Sequence, residues 1–588
     1  MKKALIFIGL TYASFLNAQI GQLLWQEDFN DLNGWIIETG NGSWGWGNGE
    51  LEFYQGSNVF IDSVPGEAGN NALHIVARQE SGANIVDQWG NPLDYTSGRI
   101  NSKSEVSMQF GMVETRVRIP NLDLGGWPAF WLLGTSNYTW PRCGELDMME
   151  MGHKKTVRDQ HDTHNGGSGQ NNSTVNQMVA SNAMFYDAGS INTGNPLGAA
   201  STAWDPQDVN FRPYYDQTNG LVDRFLIYRM YWDPNTIRFT VIDNGVEHDL
   251  YENEFVIDSL SREFHQPFYF VMNMAIGGAF TDAFNLGDPT SGQPVSMNLP
   301  AEMLVDYIKV YEWNGHGNIH LGPPTGQTGT YGLFTDNTPY DNTMLMDSTG
   351  HIYVWEGTLA AGSEAPYEGP NGISWTSTGA GWFGAGIMSV QPLNLSAYEQ
   401  GNLHFSVKIP ANVDFQVGIM DAWGNQSWVE FPANQTKYGL QRDGQWGQAT
   451  IPASDIRGTL IDLRMLSYPF AVLEVNGASA SIALDDIYWS GGSMNIADRQ
   501  AAGLRSLEAF PNPSAGEFTL RWTQQVASSV QWEVRNSAGA LVMLEQKDLV
   551  PSGEREMTLD ASNWAEGVYF VTRTDRGSQE TLRLVLTK

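Results

Sequence analysis

Three acidic residues stand close together in an otherwise apolar segment, Glu145-Leu-Asp147-Met-Met-Glu150. Alternate side chains of a β-strand share one face, so Glu145 and Asp147 point the same way. Strict alternation would place Glu150 on the opposite, apolar face, where an unpaired charge is costly. A β-bulge at Met148-Met149 adds one residue and returns Glu150 to the face of the other two acids. The spacing therefore predicts a bulged strand that carries a row of three carboxyl groups.

Such a row is suited to glycoside hydrolysis with retention of configuration. One carboxylate attacks the anomeric carbon, and a second carboxyl group roughly 5–5.5 Å away protonates the leaving oxygen. Like charges raise each other's pKa. The middle acid, Asp147, can hold a proton that keeps one glutamate ionised and the other protonated. A solvated strand edge without any chemistry explains the spacing alone equally well.

The segment resembles the E-x-D-x-x-E signature of glycoside hydrolase family 16, in the bulged form of laminarinases, agarases and carrageenases. The resemblance implies an all-β fold whose catalytic part is a concanavalin A-like β-jelly-roll sandwich. It implies that Glu145 is the nucleophile, that Asp147 assists, and that Glu150 is the acid/base.

Motifs on both sides extend the resemblance over residues 19–313 and add candidate sugar-binding residues. Trp127 and Trp131 alternate onto one strand face, where their rings stack on pyranose C–H faces or fill an apolar core. Trp140 stands where laminarinases carry a tryptophan, which favours β-1,3-glucan. Arg142-Cys143 replaces the usual small residues and leaves the fine specificity open.

Further motifs supply the remaining candidates. Asn48, in a glycine-rich turn, either binds a sugar or only shapes the turn. Arg99 either binds a sugar hydroxyl or ties down a loop. His164 lies in a segment similar to the family's L-H-x-G-G strand, and is either a sugar or acid partner or structural. Asn273 lies in one similar to N-x-A-x-G-G, with Phe280 near the place of a tryptophan.

Two acids suggest a structural calcium ion. In many members of the family an acid of the opening strand and the Asp of a closing V-D-Y strand bind calcium, and here these are Asp28 and Asp306. Carboxylate oxygens suit a hard cation. A surface pair without metal is the alternative, and no cofactor is expected for catalysis. Cys143 invites a nucleophile interpretation, but a small buried residue is favoured because no activating base is apparent. Residues 166–220, rich in Asn, Ser and Gly, are interpreted as loops that border a cleft.

The composition limits the class of protein. The chain has 588 residues with only 16% charged and 63 glycines, which favours several β-rich domains. The 65 acidic and 32 basic residues give a net charge of −33, so nucleic acid would be repelled. Residues 1–18 are typical of a secretory signal peptide, and their apolar run is too short to span a membrane. A single cysteine excludes an intramolecular disulfide. We expect a monomer.

The rest of the chain is divided by composition. Residues 315–330 form a Gly/Pro/Thr linker after the catalytic part, 19–314. Residues 331–492 resemble a jelly-roll carbohydrate-binding module, and more tryptophans than a core requires favour sugar binding over a spacer role. After a second linker, 493–506, residues 507–588 resemble the C-terminal sorting domain of the type IX secretion system, through Pro511-Asn-Pro-x-x-Gly516 and Gly567-x-Tyr569. This last resemblance implies a small β-sandwich that the secretion machinery recognises.

Together these features predict a secreted or cell-surface endo-β-1,3-glucanase of the laminarinase type, acting on a polysaccharide. Two alternatives stay open. One is the same mechanism on mixed-linkage glucan or on a marine galactan such as agarose or carrageenan. The other is a glucan-binding protein without catalysis, although binding alone has no use for three crowded acids.

Overall fold

The computed structural model describes most of the chain. The described residues are 20–80, 85–164, 173–191, 197–202, 212–283, 293–336, 340–491, 507–512, 514–524, 528–536, 540–550, 553–575 and 578–587. The expected signal peptide, residues 1–18, and the expected linker 493–506 lie outside them. Contacts divide the chain into two compact units, Met1–Pro324 with Val390–Pro392, and Thr325–Ser389 with Leu393–Lys588. No helix in the described ranges is both long and apolar enough to cross a membrane.

The first unit is built from short strands. These are β1 (Ile20–Glu27), β2 (Ile36–Ile37), β3 (Glu52–Tyr54), β4 (Val59–Ser63), β5 (Asn71–Gln79), β6 (Tyr95–Ser97), β7 (Arg99–Asn101), β8 (Val106–Gln109), β9 (Gly111–Arg118), β10 (Gly126–Gly134), β11 (Glu145–Glu150), β12 (Met178–Tyr186), β13 (Ala199–Ser201), β14 (Tyr214–Tyr215), β15 (Phe225–Trp232), β16 (Thr236–Asp243), β17 (Val246–Asp249), β18 (Phe255–Val256), β19 (Phe268–Ile276), β20 (Ala301–Trp313) and β21 (Asn318–Leu321). The helices are α1 (Lys155–His164) and α2 (Ala188–Ile191), with single helical turns at Gly45–Gly49, Gly56–Asn58, Val175–Gln177 and Arg262–His265.

These strands form two sheets. One runs β13-β12-β11-β10-β19-β7-β2, with β14, β8 and β21 attached at its edges, and it carries the acids. The other runs β17-β16-β15-β9-β20-β5-β6-β3, with β1, β4 and β18 attached. Aromatic pairs join the two sheets, since Phe270 stacks on Trp25 at 5.6 Å and Phe268 meets Trp232 at 5.4 Å. The apolar residues of both inner faces are buried. The predicted all-β sandwich is confirmed.

One hairpin shows how local sequence sets the strand register. β16 turns into β17 through Asn244 and Gly245, whose φ angles are 49° and 78°. Two successive residues with positive φ make a type I′ turn, whose twist matches that of the flanking strands. The sequence Asp243-Asn244-Gly245 is typical of such a turn.

Three expectations were wrong at the level of elements. The segment around His164 forms the end of helix α1, not a strand beside β11. That neighbouring strand is β12, which lies within the residues 166–220 that the composition had assigned to loops. Strand β21 lies within the expected linker 315–330 and pairs with β8, because Ile319 and Leu321 continue an apolar alternation.

The middle module is a second sandwich. Its elements are β22 (Thr330–Phe334), β23 (Asn342–Thr343), β24 (Gly350–Val354), β25 (Leu359–Ala361), β26 (Ile373–Ser377), β27 (Phe383–Ser389), β28 (Asn402–Lys408), β29 (Phe415–Asp421), β30 (Gln426–Phe431), β31 (Gly447–Pro452), α3 (Ala453–Ile456), β32 (Leu466–Glu474) and β33 (Ser481–Ser490), with helical turns at Trp355–Gly357 and Ser396–Tyr398. A seven-stranded sheet faces the five-stranded sheet β24-β27-β32-β29-β30 across one apolar core.

The C-terminal segment is a small β-sandwich, as predicted. Its strands are β34 (Glu508–Phe510), β35 (Glu517–Gln524), β36 (Ser528–Asn536), β37 (Leu541–Val550), β38 (Gly553–Asp560), β39 (Gly567–Asp575) and β40 (Ser578–Leu586). Sheets of three and four strands enclose a core that includes Trp522 and Trp532.

Candidate active site

The three acids lie on a bulged strand, as the spacing predicted. In the pairing of β11 with β10, Phe130 pairs with Met149 and Trp131 pairs with Asp147. Two consecutive residues of β10 thus pair with residues that are two positions apart on β11. The same irregularity separates Asp147 from Glu150 in the pairing with β12. Both Met148 and Met149 are fully buried. The extra residue therefore directs two consecutive methionines into the core and leaves Glu150 on the face of Asp147.

The strands beside β11 complete the floor of the site. Asp147 pairs with Trp131, and Glu150 pairs with Ala129. Ala129 in turn pairs with Asn273 of β19, which pairs with Arg99 of β7. Directly paired residues project to the same side of a sheet. The sheet therefore brings four of the seven predicted sugar-binding residues, Arg99, Trp127, Trp131 and Asn273, to the row of acids.

Glu150 is held by a tryptophan. The Nε1–H of Trp127 donates a hydrogen bond to Oε1 of Glu150 at 3.0 Å. The ring of Trp127 lies flat on Phe280, with centroids 4.5 Å apart and planes 2° apart. Phe280 thus supports Trp127 from behind, and Trp127 fixes one oxygen of Glu150 while the other oxygen stays available.

Burial gives the acids their unusual proton affinity. Burial and the charge of Glu150 raise the pKa of Glu145, whereas the charge of Arg99 and a hydrogen bond from Trp140 favour its ionised form. Burial raises the pKa of Glu150 to about 7, although the hydrogen bond from Trp127 lowers it. Burial and the two neighbouring glutamates raise the pKa of Asp147 well above its ordinary value. The row therefore keeps protons near neutral pH, which places a proton donor beside a carboxylate.

A hydrogen-bonded chain connects three of the predicted sugar-binding residues. Trp131 Nε1–H donates to Oδ1 of Asn273 at 2.8 Å, and Nδ2–H of Asn273 donates to the hydroxyl of Tyr54 at 3.2 Å. That hydroxyl donates to Oε2 of Glu50 at 3.1 Å, while Nδ2–H of Asn48 donates to Oε1 of Glu50 at 2.9 Å. Glu50 and Tyr54 are therefore the link between Asn48 and the cleft floor.

Sequence reasoning missed Glu50 and Tyr54, although a signal was present. Glu50, Glu52 and Tyr54 alternate along an extended segment and so share a face. Glu52 is fully buried and accepts a hydrogen bond from the backbone of Ile276 at 2.6 Å. Burial and the charge of Glu50 raise the pKa of Glu52 well above its ordinary value. The raised pKa favours the neutral form of Glu52, which reduces the repulsion between two neighbouring buried carboxyl groups.

Arg99 is anchored rather than free. Its guanidinium forms an ion pair with Glu38 and lies over the rings of Trp46, at 4.3 Å, and Trp131, at 5.0 Å. Only 12% of its side chain is exposed. The interpretation that Arg99 ties down a loop is supported by these contacts, and a direct sugar contact stays a prediction.

His164 and Cys143 are the remaining candidates. The side chain of His164 lies outside the described residues, so a role in sugar binding stays a prediction. Cys143 is 4% exposed, and burial raises its thiol pKa to about 12. A thiol with that pKa is a poor nucleophile. Cys143 is therefore the small buried residue that the sequence favoured.

The expected calcium site does not fit the residues present. Asp306 accepts hydrogen bonds from Arg116 Nη1 at 2.6 Å and from Asn70 Nδ2 at 2.8 Å. Arg116 also pairs with Glu67 at 2.6 Å. Asp28 bonds to Gln26. In the described ranges, no group of three or more acids, histidines or cysteines is arranged to hold a metal ion. A guanidinium thus neutralises Asp306 in place of the hypothesised cation.

Comparison with known proteins identifies two regions of the chain. Residues 67–239 match the family model of the XgeA-like catalytic domain of glycoside hydrolase family 16. Residues 508–587 match that of the secretion system C-terminal sorting domain. Both resemblances inferred from motifs are thereby confirmed.

Similar proteins match about half of the chain. Glucan endo-1,3-beta-glucosidase A1 of Niallia circulans is 28% identical over 304 residues, which is 49% of this chain and 38% of that protein. Beta-glucanase of Rhodothermus marinus is 27% identical over 305 residues, 50% of this chain and 85% of that protein. The laminarinase catalytic domain from Thermotoga maritima, solved with cetyltrimethylammonium bromide, is 27% identical and covers 50% of this chain and 99% of that chain, with a TM-score of 0.35.

Proposed function

Because the chain carries a glycoside hydrolase family 16 catalytic domain, we propose that it is a secreted endo-glycosidase that hydrolyses β-1,3-glucan with retention of configuration. The observation that carries the proposal is the row of Glu145, Asp147 and Glu150, brought to one face by the bulge and held by Trp127 and Trp140.

The proposed mechanism uses the acids in a double displacement. Ionised Glu145 attacks the anomeric carbon while protonated Glu150 donates its proton to the leaving oxygen, and a glycosyl-enzyme forms. Glu150, now a carboxylate, then removes a proton from water, which attacks the anomeric carbon and frees Glu145. Protonated Asp147 hydrogen-bonds to the carboxylate next to it and so stabilises a single charge in the row.

The residues around the acids support a neutral polymer as substrate. Arg99 is already paired with Glu38, so it is not available as a counter-ion for sulfate. Trp127, Trp131 and Trp140 offer aromatic surfaces of the kind that pack against the C–H faces of pyranoses. Trp140, next to Glu145, also carries the resemblance to laminarinases. We therefore favour laminarin-type β-1,3-glucan over carrageenan, with mixed-linkage β-1,3-1,4-glucan or agarose as the alternative.

A panel of polysaccharides tests this proposal. Purified protein is incubated with laminarin, mixed-linkage glucan, agarose and carrageenan, and the products are identified by mass and anomeric configuration. We expect soluble oligosaccharides from laminarin that are released as the β-anomer. Cleavage of only another polymer would replace the substrate, and release of the α-anomer would overturn the retaining mechanism.

The variant Glu145→Gln separates catalysis from binding. It keeps the shape of the side chain but lacks a carboxylate nucleophile, so we expect hydrolysis to fall by at least about a thousandfold while laminarin is still bound. Full activity in this variant would contradict the role of Glu145. Wild-type protein that binds laminarin but hydrolyses none of the four polymers would favour the non-catalytic glucan-binding alternative.

The middle module is proposed to bind polysaccharide through the outer face of its five-stranded sheet. On that face Trp355 lies 6.3 Å from Trp428 and 6.1 Å from Tyr468. The rings occupy the space that side chains at Gly384, Gly386 and Gly418 would fill. A cavity of about 280 Å³, lined partly by Gln416, Glu430 and Asn476, adjoins them on the same sheet. Aromatic rings beside polar groups suit an uncharged sugar chain.

Substitution of the aromatic face tests the module separately from catalysis. In the full chain, Trp355→Ala with Trp428→Ala should reduce retention on insoluble β-1,3-glucan about tenfold or more, while hydrolysis of a short soluble oligosaccharide stays unchanged. Retention equal to that of wild type would leave the module as a spacer domain.

Export is supported by the C-terminal segment. Its match to a secretion system C-terminal sorting domain supports a location outside the cell or at its surface. Translocation by a signal peptide at residues 1–18, recognition by the type IX machinery and a monomeric state are part of the proposal. Deletion of the sorting domain should leave the protein inside the cell that produces it.

A further inference from the structure

Two tryptophans of the catalytic unit are unusually exposed. Trp44 is 62% exposed and Trp89 is 53% exposed. Their rings form an edge-to-face pair, with centroids 4.6 Å apart and planes at 71°. Single exposed apolar residues are ordinary on protein surfaces, but two large aromatic rings that are exposed together indicate a contact site. The proposed catalytic mechanism uses neither residue.

The pair is attached to the turn that carries Asn48. The carbonyl of Trp44 accepts a hydrogen bond from the backbone N–H of Gly49 at 3.0 Å. The carbonyl of Asn48 accepts one from Ala279 at 2.7 Å, which joins the turn to the end of β19. Trp44 is therefore fixed to the border of the cleft sheet, at the side where β19 ends and β7 begins.

The loop of Trp89 is held in place as well. The carboxylate of Asp87 accepts hydrogen bonds from the backbone N–H of Trp89 at 2.9 Å and from that of Asn91 at 2.8 Å. Ser43, next to Trp44, donates to Oε1 of Gln88 at 3.2 Å, so the two loops are joined. A site whose side chains are held before binding loses less conformational entropy when it binds.

Backbone strain at Trp44 supports a functional role. Its φ is 56°, in the left-handed region, which is unfavourable for a bulky residue. Trp46 has the same φ, but its ring packs against Tyr54 at 5.6 Å and under Arg99 at 4.3 Å. Trp44 has no comparable burial, since its ring meets Trp89 and solvent. Strained residues that packing does not explain are typical of ligand sites.

We propose that Trp44 and Trp89 form an outer subsite that binds a sugar unit of a long β-glucan chain beyond the units held at the acids. The proposal rests on the proposed function and adds to it a preference for polymers over short oligosaccharides. The two rings, nearly perpendicular, present one face and one edge to a pyranose, whose C–H groups pack on aromatic surfaces. The alternative is that the pair only joins the two loops.

The length of the substrate distinguishes these roles. Trp44→Ala, Trp89→Ala and the double variant are prepared in the full chain, and kcat and KM are measured on laminarin and on a short laminari-oligosaccharide. We expect the double variant to raise KM for laminarin about tenfold, with kcat unchanged and with both constants for the short substrate unchanged. Phe at both positions should restore most of the affinity. Val86→Ala, at another exposed residue of the same loop, is the matched control and should have no effect.

Three results would overturn the subsite: an unchanged KM for laminarin, an equal loss on both substrates, or a lowered thermal midpoint that accounts for the loss. Binding provides a readout that does not need turnover. In affinity gel electrophoresis with laminarin, the double variant on the Glu145→Gln background should migrate faster than Glu145→Gln alone, and equal migration would overturn the proposal. If the wild-type protein hydrolyses no laminarin, the proposed function is contradicted. The binding assay would then still show whether Trp44 and Trp89 bind the glucan chain.

Discussion

At the scale of residues, the site is governed by the few hydrogen-bond donors that reach the acids. Trp127 donates to Glu150 at 3.0 Å, and Trp140 donates to Glu145. A donor stabilises the charged form of a carboxyl group, whereas burial stabilises the neutral form. The two indoles therefore tune the proton affinity of the two glutamates separately, and each can be removed without removing an acid.

Trp127→Phe tests which glutamate acts as the acid. The variant keeps a ring that can stack on Phe280 but lacks the N–H group, so the pKa of Glu150 should rise. If Glu150 is the proton donor, the alkaline limb of kcat/KM against pH should move upward by about half to one pH unit, because the acid stays protonated to higher pH. A downward shift, or a shift of the acidic limb alone, would assign the proton to another group. Phe280→Leu is the control for lost stacking.

Glu150→Gln should change how folding stability depends on pH. Burial raises the pKa of Glu150 from 4.5 to about 7, so the native state binds more protons than the unfolded state between these values. The stability contributed by Glu150 is therefore fully present below pH 4.5 and is lost as the pH rises through 7. Relative to wild type, the variant should gain about 1–3 kcal/mol between pH 4.5 and pH 8, measured by urea unfolding. The exposed Glu430→Gln serves as control, and a constant difference across pH would contradict the prediction.

At the scale of elements, the site depends on one bulge and on one hydrogen-bonded chain. The bulge could be predicted because Glu150 breaks the alternation set by Glu145 and Asp147, and a buried unpaired acid is unfavourable. The chain through Glu50 and Tyr54 joins β3 to β19, and such a contact between residues 219 apart in sequence is invisible to local patterns. β12 was missed for a related reason. Its Asn, Ser and Ala residues are small or polar, and its pairing with β11, β13 and β14 makes it a strand.

Insertion of one alanine between Met149 and Glu150 should disable the enzyme without touching an acid. With this further residue, Glu150 would face the core and the alanine would face the cleft. We expect activity below detection and a clearly lowered thermal midpoint. Met149→Leu, which conserves the volume and keeps the bulge, should retain most activity and stability. Substantial activity in the insertion variant would show that the face of Glu150 is not set by its spacing from Asp147.

Tyr54→Phe should weaken substrate binding more than turnover. The variant removes the hydroxyl that connects Asn273 to Glu50 but leaves the ring in place. Asn273 and Trp131 would lose their fixed orientation, so KM for laminarin should rise about three- to tenfold with kcat changed less. The far-ultraviolet circular dichroism spectrum should be unchanged. A fall in kcat with an unchanged KM would instead place the chain in the catalytic step.

At the scale of the whole molecule, composition and motifs predicted the architecture better than they predicted ion binding. Short strands broken by Gly and Asn indicated sandwiches throughout, and the structure has them in both units. The calcium hypothesis was carried over from family resemblance, and it failed to fit because Arg116 reaches Asp306 from β9. The group that neutralises Asp306 is Arg116, which lies 190 residues away in the sequence. A motif match at Asp306 alone does not reveal such a distant partner.

The charge of the whole chain predicts how salt affects stability. Excess negative charge of 33 units opposes the compact state through self-repulsion, and salt screens that repulsion over a Debye length that falls from about 30 Å at 0.01 M to about 3 Å at 1 M. Salt also weakens attractive pairs such as Arg116–Asp306, but their atoms are 2.6 Å apart and partly buried, so screening reaches them less. The thermal midpoint should therefore rise between 0.01 M and 0.5 M NaCl. Arg116→Gln removes this attraction but leaves the net negative charge, so its thermal midpoint should rise with salt by an equal or larger amount. A midpoint that falls with salt would mean that the ion pairs dominate the electrostatic free energy.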